Sequence, residues 1–349
     1  MPKSILRKGL EGFQPYVPGE QPPDGEGWVK LNTNESPLPP SPRVVAAIKK
    51  AAGDSLRLYP SPTAAPARRA IARRFGLDPS QVTVANGGDE LIELCFRAFA
   101  DSGDSVAYPT PTYPLFEPLC RIHGASPSTH PIGLPSELPP GLASDPAPLK
   151  FIVNPNSPTG ALFDQAAVEA VVAASPGVVA VDEAYVDFAP RSCLGLLASH
   201  DNLVLLRTFS KSYGLAGLRI GFALGDAAAI AALDSVKDSY NVDRLAIVAA
   251  VAAIEDDPYH QKLVDEVVAN RAALGEALTG LGFEVVPSAA NFLFVKPPRP
   301  AAEVASALRE RKILVRHYDR EAIAGWFRIT IGTAEQHEKL LEALKEILP

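Results

Sequence analysis

Amine, hydroxyl and guanidinium groups occur close together in the segment TFSKSYGLAGLR, which runs from Thr208 to Arg219. Such groups can hold an anion beside a lysine that is available for nucleophilic or proton-transfer chemistry. Taken alone, the neighbouring Ser210 and Lys211 fit a phosphate clamp, a nucleophile or an ordinary surface charge. The segment follows the strand-like run 204–207, so it belongs at the end of a predicted strand, where ligands bind in open α/β sheets.

A second candidate segment is NGGDE at 86–90, which follows the strand-like run VTVA and leads into a predicted helix. Paired glycines at the start of a helix let backbone amides approach an anion, and the helix dipole favours negative charge there. An ordinary turn is the alternative interpretation. Gly88 and Asp89 are therefore candidate ligands of a phosphate group.

Polar residues also follow two further predicted strands. The sequence NPNSPTG at 154–160 holds short polar side chains in a turn that contains two prolines. The sequence DEAY at 182–185 puts a carboxylate at the end of an apolar strand, where burial is costly unless a positive partner is present. A helix cap or an exposed loop acid is the alternative interpretation of Asp182.

These segments need a framework in which several strand ends meet at one edge. Strand-like runs and helical patterns alternate from about residue 43 to residue 225. The predicted strands are 82–85, 105–108, 150–153, 178–181, 204–207 and 219–224, and the helices between them include 90–100 and 165–174. This alternation predicts an α/β fold, in which a mostly parallel sheet is covered by helices on both faces.

The pattern changes after residue 226, where strand-like runs clustered with helices predict a smaller α+β domain. The predicted helices are 227–237, 244–254, 259–281, 302–311 and 335–347, and the predicted strands are 283–286, 291–295, 313–315 and 327–331. The chain is therefore expected to divide into an N-terminal arm (1–42), a large domain (43–240) and a small C-terminal domain (241–349). We expect the arm, which is rich in proline and glycine, to pack on the small domain.

The composition limits the possible functions. The chain has 349 residues, of which 47% are hydrophobic, so it is long enough for two domains with substantial cores. A net charge of −7 argues against broad binding to nucleic acid or to anionic membranes. No apolar run approaches the roughly 20 residues that span a bilayer, and the segment 1–12 lacks the apolar stretch of a signal peptide.

The cysteines and histidines are dispersed along the chain, and there is no HExxH motif, so metal catalysis is not expected. Cys95, Cys120 and Cys193 lie far apart, and we interpret them as buried apolar side chains. An odd number of cysteines without a pattern suits a reducing compartment, so we expect a cytoplasmic protein.

The order of these motifs resembles that of the fold-type I pyridoxal-phosphate enzymes, and within them the aspartate and histidinol-phosphate aminotransferase group. The resemblance begins at LNTNE (31–35), includes Tyr59 and the four segments above, and ends at FRITIG (327–332). It implies a fold-type I transferase fold and pyridoxal 5′-phosphate as the cofactor.

The resemblance also implies a role for each reactive side chain. Lys211 matches the lysine that carries the cofactor as a Schiff base and then moves a proton during the reaction. Asp182 matches the acid that pairs with the pyridine nitrogen, and Tyr185 matches the tyrosine that donates a hydrogen bond to the 3-oxygen of the ring. Tyr113 matches the aromatic residue that stacks on the ring.

Binding of the cofactor phosphate is implied for a further group of residues. They are Gly88, Asp89, Thr208, Ser210 and Arg219. Tyr59 matches a tyrosine that reaches the phosphate from the partner subunit, which implies a homodimer with shared active sites. The family usually has asparagine directly before Pro-Thr-Gly, whereas this chain has Ser157 there and Asn156 one position earlier. The contact to the 3-oxygen is then expected through water from Ser157, or directly from Asn156.

The nearest resemblance is to the histidinol-phosphate aminotransferases. It rests on the short chain, on the QPY motif ending at Tyr16 and on the VR pair ending at Arg316. In that family, residues like Tyr16 and Arg316 contact the substrate phosphate together with an arginine like Arg328. The same arginine binds the carboxylate of an amino-acid substrate. Asn34 is also expected to bind substrate. A salt bridge within the small domain is the alternative for Arg328. The implied reaction moves an amino group between L-histidinol phosphate and glutamate, through 2-oxoglutarate and imidazole acetol phosphate.

Other functions remain open at this point. Aromatic-amino-acid aminotransferases and threonine-phosphate decarboxylase share the scaffold, and the latter also binds a phosphorylated substrate. A non-catalytic module that binds the cofactor is the alternative outside the enzymes, although all the catalytic positions are filled. A nicotinamide dehydrogenase is excluded because no G-x-G-x-x-G follows the first strand, and no Walker-type phosphate loop is present.

Overall fold

The computed structural model describes residues 5–23, 26–133 and 136–348. The strands are β1 (Val29–Lys30), β2 (Val82–Ala85), β3 (Ser105–Thr110), β4 (Ser126–Pro131), β5 (Leu149–Val153), β6 (Val178–Asp182), β7 (Leu203–Thr208), β8 (Gly221–Gly225), β9 (Glu284–Val286), β10 (Phe292–Lys296), β11 (Ile313–Leu314), β12 (Arg316–His317) and β13 (Phe327–Thr330). The α-helices are α1 (Pro42–Ala51), α2 (Ala65–Phe75), α3 (Gly88–Phe99), α4 (Phe116–His123), α5 (Gln165–Ala174), α6 (Ala227–Val236), α7 (Arg244–Ile254), α8 (Asp257–Gly280), α9 (Ala301–Glu310) and α10 (Ala334–Ile347).

Seven strands form the large sheet in the order β2-β8-β7-β6-β5-β3-β4. β8 runs antiparallel to both β2 and β7, and the other neighbouring pairs are parallel. The central strands β5 and β7 are buried along their whole length, as expected when helices cover both faces of a sheet. The predicted α/β fold with a mostly parallel sheet is confirmed.

The register of the central strands brings their ends together. Asp182, the last residue of β6, lies opposite Val153 at the end of β5 and Leu206 near the end of β7. Because β5, β6 and β7 are parallel, the segments that follow them leave the sheet at the same edge.

A smaller unit is built on the antiparallel sheet β12-β13-β10-β9. Its core includes Phe292 and Phe327 from the sheet together with Val267, Val304 and Leu340 from α8, α9 and α10. The N-terminal arm contacts this unit through β1, which pairs in parallel with β11.

Helix α7 requires a correction to the predicted domain boundary at 240/241. Its buried residues, among them Ala246, Ala249 and Ala250, belong to the core of the large sheet. Small side chains allow α7 to pack closely against α1 and α2. An alanine-rich pattern predicts a helix but does not indicate which sheet the helix packs on. The large unit therefore extends to Ile254.

Within the described ranges, no helix is both long enough and apolar enough to cross a bilayer. Nor do those ranges bring three or more histidine, cysteine or acidic side chains together in a way that could hold a metal ion. Cys95, Cys120 and Cys193 are buried free cysteines.

Candidate active site

A cavity of about 490 Å³ opens where β5, β6 and β7 end, between the large sheet and the smaller unit. Most of the residues predicted to bind cofactor or substrate lie in its wall. These are Tyr16, Asn34, Gly88, Asp89, Tyr113, Ser157, Asp182, Tyr185, Thr208, Ser210, Lys211, Arg219, Arg316 and Arg328. Segments that are far apart in the sequence therefore converge on one site.

Lys211 lies in the loop that follows β7, and its side chain reaches into the cavity. The Nζ atom donates a hydrogen bond to the Thr33 carbonyl over 3.4 Å and lies 5.8 Å from the centre of the Tyr185 ring. Burial, together with the positive charge of Arg328, lowers the pKa of Lys211 to about 8. A substantial fraction of the amine is therefore neutral near physiological pH, as a nucleophile or a general base requires.

Asp182, the last residue of β6, lines the same cavity. Burial raises the pKa of its carboxyl group to about 7, and a hydrogen bond of 2.9 Å from the Ala184 amide only partly opposes the rise. A cation placed against Asp182 would offset the burial and hold the carboxylate ionised. A protonated ring nitrogen is such a cation.

One end of the cavity is formed by the start of α3 and by Arg219. Gly87 precedes the helix with φ of 93°, and a Cβ atom built on it would lie 2.6 Å from the Arg219 Nη2 atom. Arg219 donates to the Ser210 hydroxyl over 3.5 Å and pairs with Asp89 at 3.6 Å. Helix amides, hydroxyls and a guanidinium group therefore surround this end, and such a set of donors fits a phosphate monoester.

Tyr113 forms a side wall next to this phosphate-sized end. Its hydroxyl donates a hydrogen bond of 2.9 Å to the Asp89 carboxylate. Burial, followed by the negative charge of Asp89, raises the Tyr113 pKa well above its usual range, so the phenol stays neutral. A neutral ring fixed at its hydroxyl end is suited to stack on a flat cofactor.

Tyr185 and Asn34 are joined across the cavity floor. The Asn34 amide donates to the Tyr185 hydroxyl over 3.0 Å. Asn34 is itself held by Thr330, which accepts from its backbone amide over 2.9 Å and donates to its side-chain oxygen over 3.1 Å. The arm thus fixes the position of a predicted catalytic side chain.

Two arginines of the smaller unit form the opposite end of the cavity. Arg328 donates to the Ser157 hydroxyl and to the Asn32 carbonyl, each over 3.1 Å. Arg316 donates to the carbonyls of Val17 and Pro18 in the arm, over 2.9 and 3.1 Å. Each guanidinium group has five N–H donors, so both keep donors that an anionic substrate can use.

Two predicted residues do not line this cavity. The Asn156 side chain is fully buried, and its amide donates to the Thr159 hydroxyl over 3.0 Å and to the Pro111 carbonyl over 3.2 Å. The direct contact expected from Asn156 is therefore not supported, because both of its amide hydrogens are used by Thr159 and Pro111, whereas Ser157 does line the cavity. Tyr59 is 79% exposed and stacks on Tyr240 with 4.6 Å between the ring centres.

A buried ion pair next to the site was not predicted. Arg207 donates from Nε and Nη2 to Glu183 over 3.0 and 2.8 Å, and both side chains are buried. Glu183 follows Asp182 and Arg207 precedes Thr208, so the pair joins the ends of β6 and β7, and Arg207 also lines the cavity. Charged residues inside otherwise apolar strands are the sequence signal that indicates such a pair. Tyr318, which also lines the cavity, lacked any such signal.

Comparison with known proteins gives a family for this architecture. The family model described as "Aminotransferase class I and II" matches residues 26–344.

The chain belongs to the class I and II aminotransferase family.

Relatives within this aminotransferase family match the chain along nearly its whole length. A histidinol-phosphate aminotransferase of Citrifermentans bemidjiense is 42% identical and covers 99% of both chains. That of Aromatoleum aromaticum is 46% identical and covers 97% of this chain and 98% of its own. The crystal structure of the histidinol-phosphate aminotransferase from Sinorhizobium meliloti, in complex with pyridoxal-5′-phosphate, matches with a TM-score of 0.85 and 29% identity over 91% of this chain and 90% of that one.

Proposed function

We propose that this aminotransferase uses pyridoxal 5′-phosphate to move an amino group between L-histidinol phosphate and 2-oxoglutarate. The observation that carries the proposal is the grouping of Arg316, Arg328 and Tyr16 in the same cavity as Lys211 and Asp182. Near full-length relatives that are 42–46% identical and bear the name histidinol-phosphate aminotransferase support the same substrate.

The cofactor fits the residues that are present. Lys211 would hold it covalently, Asp182 would face its ring nitrogen, and Tyr113 would stack on the ring. Its phosphate would be bound at the start of α3 by the backbone amides of Gly88 and Asp89, together with the side chains of Thr208, Ser210 and Arg219. When bound, the cofactor supplies an electron sink for the carbanion character that develops at the substrate α-carbon.

The protein groups then have distinct tasks. Asp182 would place its negative charge toward the ring nitrogen, where that charge would stabilise a proton. Lys211 is the proton carrier, because its amine has a pKa near 8 and its Nζ atom lies within the cavity. Tyr185 can donate its hydroxyl proton to the 3-oxygen while it accepts from Asn34.

The two substrates require anion recognition at the far end of the cavity. Arg316, with Tyr16, would bind the phosphate of histidinol phosphate, since a guanidinium group matches phosphate geometry. Arg328 would bind this phosphate too, and would bind a carboxylate of glutamate or 2-oxoglutarate when those occupy the site. One cavity can therefore serve both halves of the reaction.

Half-reactions of the cofactor-loaded protein test this assignment directly. Amino-group transfer changes the absorption of the bound cofactor, so histidinol phosphate, glutamate, phenylalanine and threonine phosphate can each be added alone. We expect transfer with histidinol phosphate and glutamate. Release of carbon dioxide from threonine phosphate would instead identify a decarboxylase, and no reaction with any amino donor would indicate a non-catalytic module.

Arg316→Ala should lower kcat/KM for histidinol phosphate by roughly ten- to a hundredfold, because hydrogen bonds to a charged group are lost. Phenylalanine, which has no phosphate, should lose less than about threefold. Arg320→Ala is the matched control, since Arg320 pairs with Glu117 at 3.8 Å and does not line this cavity. Equal losses on both substrates would contradict a phosphate-binding role.

A further inference from the structure

Tyr318 is the residue beside the two arginines that the proposed mechanism does not use. It lies two positions after Arg316 and lines the cavity. The Cζ atom of Arg316 lies over the Tyr318 ring, 5.7 Å from its centre. An arginine above an aromatic face is attracted to the ring and held in orientation.

The Tyr318 ring has a rigid support behind it. It packs edge-on against Phe294 with 6.5 Å between ring centres, and Phe294 stacks on Trp326 at 5.2 Å. Phe294, Trp326 and Ile323 form a small buried cluster of the smaller unit. The ring is therefore fixed by packing that does not depend on the arm.

Arg316 is held from two directions as a result. The arm carbonyls of Val17 and Pro18 accept from its two terminal nitrogens, and Tyr318 lies against its face. With both contacts in place, little freedom remains for the guanidinium group. An anion that binds Arg316 therefore meets donors that are already oriented, which reduces the entropy cost of binding.

The hydroxyl group of Tyr318 adds a second property. Burial raises the pKa of Tyr318, and the positive charges of Arg328 and Arg316 only partly oppose the rise. The phenol is therefore neutral near physiological pH and keeps a proton to donate. Tyr318 lines the cavity together with Arg316 and Arg328, and the positive charges of these arginines oppose the effect of burial on the pKa of its hydroxyl group. The hydroxyl group therefore belongs to the part of the cavity that attracts anions.

We propose that Tyr318 is a specificity-determining residue, whose ring positions Arg316 and whose hydroxyl donates to the phosphate group of the substrate. The proposal rests on the proposed function, since it names an additional residue that recognises the phosphorylated substrate. A phosphate monoester has three strong acceptor oxygens, so it can use Tyr16, Arg316 and Tyr318 together.

The first test compares Tyr318→Phe with the wild type as holoenzymes. Removing only the hydroxyl should raise KM for histidinol phosphate by about tenfold, because a hydrogen bond to a charged group is lost, while kcat changes by less than about twofold. Tyr318→Leu removes the ring as well and should raise KM further, since Arg316 loses its support. Tyr259→Phe is the matched control, because Tyr259 donates to the Pro39 carbonyl and does not line the cavity.

The second test uses inorganic phosphate as a probe and does not depend on turnover of histidinol phosphate. Phosphate should inhibit the glutamate half-reaction competitively, and Tyr318→Phe should raise its inhibition constant by about tenfold. An unchanged inhibition constant in a variant that turns over histidinol phosphate normally would overturn the role of Tyr318 and leave the proposed function intact. A raised constant in a protein that does not accept histidinol phosphate would support the role of Tyr318 and refute the proposed substrate.

Discussion

The two central side chains of the site are both partly buried, and this burial shifts their pKa values in opposite directions. It raises the pKa of Asp182 to about 7 and lowers that of Lys211 to about 8. Each group is thereby shifted toward its neutral form, at a cost in stability to the cofactor-free protein. A positively charged ring nitrogen beside Asp182 reverses the shift of the acid, so cofactor binding and ionisation of Asp182 should be coupled.

Asp182→Asn should stabilise the cofactor-free protein at pH 8. The pKa of Asp182 is raised from 3.8 to about 7, so the folded protein binds this proton more tightly than the unfolded chain does. The stabilisation that protonated Asp182 contributes is therefore complete below about pH 3.8 and is lost as pH rises through 7. Asparagine carries no charge and can still accept from Ala184. A rise of the pKa from 3.8 to about 7 corresponds to roughly 4 kcal/mol at most, so we expect a gain of a few kcal/mol at pH 8 that shrinks toward pH 4, measured by urea unfolding.

The exposed Asp201 provides the control for this experiment. Asp201→Asn alters only a surface position and should change the free energy of unfolding by less than about 0.5 kcal/mol. The holoenzyme of Asp182→Asn should lose most of its activity although it folds, because the ring nitrogen loses its charged partner. Near-normal turnover would contradict the placement of Asp182 at the ring nitrogen, and a stability gain that is the same at both pH values would contradict the raised pKa of Asp182.

At the residue scale, the sequence predicted side chains that belong to ordered motifs. Asp182 ends β6, Lys211 follows β7 and Arg219 precedes β8, and the fold brings these three residues to one cavity. The sequence does not decide between Asn156 and Ser157, because neighbouring positions in a turn point in different directions and only the folded loop determines which one faces the cavity. Tyr318 was missed because an aromatic residue in an irregular segment looks the same whether it supports an arginine or fills a core.

At the scale of elements, the backbone conformation of the turn before α3 determines whether the proposed phosphate site can form. Gly87 has a positive φ of 93° and lies against the Arg219 guanidinium group. A non-glycine residue there meets both an unfavourable backbone conformation and a collision.

Gly87→Ala should therefore weaken binding of pyridoxal 5′-phosphate by tenfold or more, since the methyl group must displace Arg219, which costs about 1–3 kcal/mol. Titration of the cofactor-free protein, followed by its absorption, measures the change. Gly195→Ala is the matched control, because a Cβ atom on Gly195 meets no neighbour within 4 Å. Comparable binding by the two variants would contradict the proposed phosphate site.

Most strands and helices were predictable because their apolar residues follow the spacing of the element. β4 was not, since its sequence SPSTHP is polar and contains two prolines. Prolines are tolerated there because β4 pairs only with β3 at the edge of the sheet. Propensity alone therefore could not indicate this strand, and neither could it indicate which sheet α7 packs on.

At the scale of the whole molecule, Tyr59 lies outside the cavity of its own chain. It is exposed beside Leu56 and Leu58, which are 52% and 51% exposed, and Tyr240 is exposed next to it. Clustered exposed apolar side chains are typical of a surface that another protein covers. We propose a homodimer in which this surface is buried and Tyr59 reaches the cofactor phosphate of the partner subunit.

Mixed dimers test whether the sites are shared. In such a dimer, Tyr59→Ala and Lys211→Ala should each impair both sites. After the two variants are unfolded and refolded together, each mixed dimer should contain one intact site and one doubly altered site. The mixture should then regain about a quarter of wild-type activity, because about half of the dimers are mixed. Activity equal to the sum of the two separate variants would contradict a shared site.

The pairing of β1 with β11 has a consequence for biosynthesis. The Asn34 amide bonds to Thr330, which is 296 positions further along the chain. Domains fold in order as the polypeptide leaves the ribosome. The arm therefore lacks its partner strand β11 until nearly all of the protein has been translated. Nascent chains stalled shortly before residue 313 would therefore carry the seven-stranded sheet and the lysine loop, yet lack the wall that the arm contributes to the site.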